Sequence, residues 1–143
     1  MEQGRLLLLA VLSLVLFVPL LHAATPEGAW ITVDDKTGKK RAVIRMQVSG
    51  DTLTGTVVET FPDEGEEKSC VNCPGEFKNK PIKGLTIIWG MKAKGENIWE
   101  DGQILDPKSG KIYRAKMKVE GDKLHVRGFI GFSLLGRSQT WIR

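Results

Sequence analysis

From Gly28 onward the chain repeats one pattern: a short run with apolar side chains at every second position, then a turn rich in Gly, Asp, Asn or Pro. In Arg41–Val48, Ala42, Ile44, Met46 and Val48 share one face, while Arg41, Arg45 and Gln47 share the other. In Ile112–Val119 the split is Tyr113, Ala115, Met117 and Val119 against Arg114, Lys116 and Lys118. Successive side chains of a strand point to opposite faces, so this two-residue period predicts strands with one buried side. The same reading gives Gly28–Val33, Thr52–Thr60, Gly84–Trp89, Ile98–Leu105, Leu124–Ile130 and Arg137–Ile142, and no segment here sustains a 3.6-residue period. Strands joined mostly by short turns predict an all-β antiparallel meander. Closing it into a small eight-stranded barrel removes both exposed edges, which otherwise invite pairing with other chains. A two-layer sandwich satisfies the same periodicity.

The first two dozen residues follow a different rule. Arg5 ends a short basic start, Leu6–Leu21 is apolar apart from Ser13 and Pro19, and His22-Ala23-Ala24 precedes a polar chain. These are the parts of a secretory leader over residues 1–24, cut after Ala23 or Ala24. The run is shorter than a spanning helix requires and no basic cluster follows it, so no transmembrane segment is expected after processing. The expected product is periplasmic or secreted. It is one domain over residues 25–143, of a length that supports a single core. All four Trp, Trp30, Trp89, Trp99 and Trp141, lie in it.

Two turn segments are near copies: Asp34-Asp35-Lys36-Thr37-Gly38-Lys39 and Asp106-Pro107-Lys108-Ser109-Gly110-Lys111. An Asp that caps its own turn and a Gly at positive φ account for both as hairpins. Neither has the ligand ladder of a calcium loop. The longest connection, Pro62–Pro81, holds Cys70-Val71-Asn72-Cys73-Pro74. Two thiols and His125 fall short of a zinc ligand set, and no βαβ context supports a thioredoxin-like pair. A structural Cys70–Cys73 disulfide is the expectation, with a redox pair as the alternative. No metal and no cofactor are expected.

No nucleophile elbow, zinc-protease motif or phosphate loop occurs. His125 stands alone in a strand, and Glu100 and Asp101, adjacent on another, are expected on opposite faces. The chain is therefore expected not to be an enzyme. The net charge is +4, and Lys36, Lys39, Lys40 and Arg41 cluster at one hairpin. That cluster is too small to track a phosphate backbone, and export makes nucleic acid the wrong partner.

Gly28-Ala29-Trp30 on the first strand, with Arg137 and Arg143 in the last, resembles the lipocalin and calycin pattern. That resemblance implies that Trp30 closes the barrel floor, with one of the two arginines packed across its ring by cation–π attraction. Over the whole mature chain the series Gly28-Ala29-Trp30, Cys70-Val71-Asn72-Cys73, Lys80–Leu85, Gly102–Tyr113, Val126–Gly131 and Gly136–Trp141 resembles the secreted bacterial family catalogued as domain of unknown function 2147. This second resemblance implies export and a small all-β domain, with no reaction or ligand attached. The function expected first is a binding barrel that holds a small apolar or amphipathic ligand by burial of apolar surface, with Trp99, Tyr113, Met117 and Phe129 lining its cavity. The alternative is an envelope protein that works through its surface, using the apolar run Phe129–Gly136. A redox role for Cys70 and Cys73 comes third.

Overall fold

The computed structural model describes residues 16–18, 25–132 and 134–143; the expected leader falls outside the described residues except for Leu16–Val18. β1 (Gly28–Val33), β2 (Lys40–Ser49), β3 (Thr52–Thr60), β4 (Thr86–Gly95), β5 (Ile98–Leu105), β6 (Ile112–Glu120), β7 (Lys123–Phe129) and β8 (Gly136–Ile142) pair in sequence order as a closed antiparallel barrel. Closure decides the choice left open by periodicity in favour of the barrel over the sandwich.

The lumen is lined as alternation requires. Trp30 and Ile44 are paired across β1 and β2, Met46 faces Gly55 across β2 and β3, and Leu124 faces Trp141 across β7 and β8. Trp30, Leu53, Ile88, Met91 and Leu124 have no exposed surface. Where side chains crowd, the sequence supplies glycine: a Cβ on Gly55 would lie 2.7 Å from the Met46 sulfur and 3.2 Å from Ile88.

β4 differs from expectation. The strand predicted to stop at Trp89 continues to Gly95. Gly90 has φ +69° and, on the neighbouring strand, Asp101 has φ +63°. Each sits at a bulge, where one strand carries an extra residue against its partner. Ile88 and Met91, three apart, therefore both enter the core, as a strict two-residue period forbids. On β5 the bulge separates Trp99 from Gly102, which pair with Met117 and Ala115. Glu100 and Asp101, expected on opposite faces, are both left on the outer wall, where Asp101 takes Lys94 at 2.8 Å.

The hairpins β2–β3, β4–β5 and β6–β7 lie at one end of this up-and-down barrel together with both chain ends. The other four connections lie at the opposite end. Trp30 stoppers the first end. Its indole N–H donates to the Pro26 carbonyl at 2.7 Å, and the Arg143 guanidinium lies over its ring, 4.2 Å from the centroid. Arg143 also donates to the carbonyls of Thr25 (3.1 Å), Glu27 (3.3 Å) and Gly121 (3.2 Å). This matters because a single paired position, Ile31 with Ile142, joins β1 to β8 among the described residues. One side chain thus ties the first strand, the last strand and the β6–β7 turn. Arg137 sits at the far end instead and pairs with Asp35 at 2.7 Å in solvent.

The two arginines should therefore respond differently. Arg143→Gln is expected to lower unfolding stability by about 1–3 kcal/mol, from the lost ring contact and three charge-assisted bonds. Arg137→Gln should stay within about 0.5 kcal/mol, as an exposed pair does. Urea denaturation of both variants checks this, and an equal loss in the two would refute the seam role of Arg143.

Candidate functional site

Toward the end opposite Trp30, some lumen-facing side chains become solvent-accessible. Met46, Met91, Val119 and Trp141 are almost wholly buried, whereas Ile104 and Tyr113 near the open end are half-buried. Gly128 faces them; a Cβ there would lie 3.3 Å from Tyr113 and 3.5 Å from Ile104.

The four residues expected to line a cavity do not act as one set. Tyr113 lies at the open end of the lumen. Met117 is packed in its middle, 3% exposed. Trp99 stands opposite Met117 and packs half-buried against the core. Phe129 lies on the outer wall: it pairs with Arg114, whose guanidinium lies 5.6 Å from its ring centroid. The apolar character of Phe129 suggested the lumen, yet its strand period already assigned that side to Leu124, Val126 and Gly128.

The end opposite Trp30 carries the β1–β2, β3–β4, β5–β6 and β7–β8 connections. In the β1–β2 turn, Asp34 accepts the backbone N–H groups of Thr37 (2.8 Å) and Lys36 (2.9 Å). The Thr37 backbone bond chiefly, with that residue's hydroxyl and the Lys36 N–H, holds the Asp34 carboxyl below the usual range. Arg41 reaches across to Glu66 and, at 3.3 Å, to Asp63. The bond to Arg41 lowers the Glu66 carboxyl and raises the Arg41 guanidinium. These pairs fix the start of the β3–β4 connection.

The β7–β8 connection is the opposite in character. Ile130 is 60% exposed, Phe132 78%, Leu134 88% and Leu135 68%; Ser133 is outside the described residues. Loops are usually polar, and four large apolar side chains at one rim form a patch of the kind that marks a contact surface. Phe61, 42% exposed, adds a fifth at the head of the β3–β4 connection.

That long connection folds onto the outer wall rather than over the mouth. A Ser69–Pro81 bridge and a 3₁₀ turn at Gly75–Phe77 shape it. Ile87, Trp89 and Leu105, which alternation turns outward, are covered by Cys70, Cys73, Phe77, Ile82 and Leu85. The Phe77 and Trp89 rings stack with centroids 5.7 Å apart. Cys70 and Cys73 form a disulfide, with exposures of 0% and 2%. Burial keeps an attacking thiolate away from both sulfurs, which weighs for a structural bond over a redox pair. A shallow hollow of about 350 Å³ beside this docked loop is lined by Glu76, Phe77, Thr86 and Trp89. Among the described residues no three His, Cys, Asp or Glu side chains converge on a common point. No described helix is long and apolar enough to cross a membrane.

Comparison with known proteins fits this geometry. The family described as "Uncharacterized protein conserved in bacteria (DUF2147)" matches residues 28–143. No curated protein matches the chain. Among solved structures, the chain is similar to HP1028 from Helicobacter pylori, described as belonging to the lipocalin family. The two share 15% sequence identity and a TM-score of 0.72, over 84% of this chain and 83% of that one. At that identity the likeness is one of fold, and the fold is a lipocalin-like barrel.

Proposed function

The chain belongs to the bacterial family DUF2147, and on that premise we propose that it is an exported, non-enzymatic binding barrel that takes the apolar part of a small amphipathic molecule at its open rim. The observation that carries this reading is the exposure of Ile130, Phe132, Leu134 and Leu135 at the end where Tyr113 and Ile104 are half-buried. A lipocalin-like fold supports small-molecule binding in general. Met117 and Met91, 3% and 0% exposed in the middle of the lumen, favour the mouth over a deep cavity as the place for a ligand. Covering a Leu or Phe side chain contributes roughly 1.5–3 kcal/mol, so the four exposed side chains together supply about 6–12 kcal/mol, the range of a micromolar affinity.

An environment-sensitive fatty-acid probe should bind saturably, and Phe132→Ser with Leu135→Ser should weaken it by about tenfold or more. Absence of saturable uptake, or uptake unchanged in the double variant, would overturn the reading. The same exposed rim favours a second reading, an envelope protein that docks a partner there. In that case the probe does not bind, while retention of an envelope component depends on Phe132 and Leu135.

A further inference from the structure

The two near-identical turns, Asp34–Lys39 and Asp106–Lys111, stand on either side of the exposed apolar loop. In the closed strand order β8 is next to β1 and β7 is next to β6. The β7–β8 connection therefore has the β1–β2 hairpin on one flank and the β5–β6 hairpin on the other. Arg137, at the start of β8, reaches Asp35 of the first hairpin at 2.7 Å. Phe129, at the end of β7, is paired with Arg114, just past the second. The acidic stretch Asp63–Glu67 belongs to the β3–β4 connection, which springs from the opposite side of the mouth.

Each turn ties its first Asp to itself and leaves lysines in solvent. Asp34 accepts the backbone N–H groups of Lys36 and Thr37. Asp106 accepts that of Lys108 at 3.1 Å and the Ser109 hydroxyl at 2.7 Å. Asp35 is taken by Arg137, and Lys39 by Asp63 at 3.6 Å. Lys36, Lys40, Lys108 and Lys111 remain, all exposed and without an ion pair among the described residues. Between these two sets of cations stand Ile130, Phe132, Leu134 and Leu135, open to solvent.

We infer that this side of the mouth is a docking surface for a lipid bilayer with anionic headgroups. The Ile130–Leu135 loop enters the boundary between headgroups and acyl chains, and Lys36, Lys40, Lys108 and Lys111 lie at headgroup level on its two flanks. Apolar side chains beside cations match a bilayer interface, which offers hydrocarbon and negative charge at neighbouring depths. The cations are spread over two hairpins rather than gathered at one point, which suits a plane of headgroups better than a single bound anion. The surface shares its apolar loop with the binding reading, adds the hairpin lysines, and does not require a ligand in the mouth.

Co-sedimentation with vesicles of phosphatidylcholine, alone or with an equal part of phosphatidylglycerol, tests this. Saturable binding to the anionic vesicles is expected, weakening as salt screens the exposed charges. Lys36→Gln with Lys108→Gln should weaken it by about tenfold or more. Lys118→Gln with Lys123→Gln, which removes the same charge toward the stoppered end, should leave it unchanged. Phe132→Ser with Leu135→Ser should abolish it. Equal weakening by both lysine pairs would mean attraction by net charge alone and overturns the surface. So does absence of binding, binding kept by the apolar variant, or a dimer in solution that the apolar variant loses, which would assign the loop to a second copy. Uptake of the fatty-acid probe without vesicles reads the binding function separately. The Lys36 and Lys108 variant should keep that uptake, so loss of one response with the other retained tells the two failures apart.

Discussion

Replacing Trp30 by Ala should lower the unfolding free energy by about 3–5 kcal/mol, a large part of the stability of a domain this size. Trp30 is fully buried at the stoppered end and holds together three things that meet nowhere else. Its ring contributes to the lumen core beside Ile44, its N–H satisfies Pro26, and its face receives Arg143. Truncation removes the packing and leaves a cavity under a guanidinium that has lost its aromatic partner. The thin β1–β8 seam should then open first. Hydrogen exchange would show it as faster exchange in β1 and β8 than in β3 and β4, alongside a lower denaturation midpoint. A loss below about 1 kcal/mol would mean that the floor is not supported as described. Trp30→Phe should keep part of the stability, since it retains a ring for Arg143.

Gly110→Ala should cost about 2–4 kcal/mol, whereas Gly38→Ala should cost no more than about 1 kcal/mol. The two glycines occupy the same place in the near-identical segments Asp34–Lys39 and Asp106–Lys111, at φ +69° and +75°. Both pay the same backbone strain. Around Gly38 an added Cβ meets nothing within 4 Å, but at Gly110 it would lie 1.8 Å from the Asn72 carbonyl oxygen. That oxygen belongs to the disulfide loop, which docks on the β5–β6 hairpin through Asn72 Nδ2 to the Lys108 carbonyl at 3.2 Å. Backbone cannot yield to backbone, so the alanine must push the loop off the wall. Thermal melting compares the two variants, with the Gly110 variant about 5–15 °C lower. Reduction by dithiothreitol gives a second reading. Only the Gly110 variant should expose Cys70–Cys73 to rapid reduction, and equal rates in both variants would contradict the docked loop.

The contrast between these glycines marks the limit of what was legible. The turn chemistry of both hairpins could be read directly, because Asp and Gly act within the turn itself. The collision with Asn72 could not, since it joins residues far apart in the chain. The same division runs through the candidate site. The lysines of both hairpins were visible in their own turns, but their placement on either side of the Ile130–Leu135 loop required the closed strand order. Two arginines were equally placed to cover Trp30, and the choice of Arg143 came from which end of β8 meets the first strand. Phe129 is apolar yet faces outward, because its strand period gives the lumen side to Leu124, Val126 and Gly128. The continuation of β4 past Trp89 is hidden in the sequence because Gly90 breaks the alternation there.

Alternating polarity by itself determined that this chain is all-β and that its strands bury one face, while the short turns made most successive strands antiparallel neighbours. It could do so because side-chain direction in a strand is a local property with a period of two. Tertiary structure alone decided closure, the bulges that bring both Ile88 and Met91 inward, the burial of the disulfide against the outer wall, and the burial of Met117 in the middle of the lumen. These depend on which distant side chains arrive at the same place and how much volume they occupy there, and no local period encodes that.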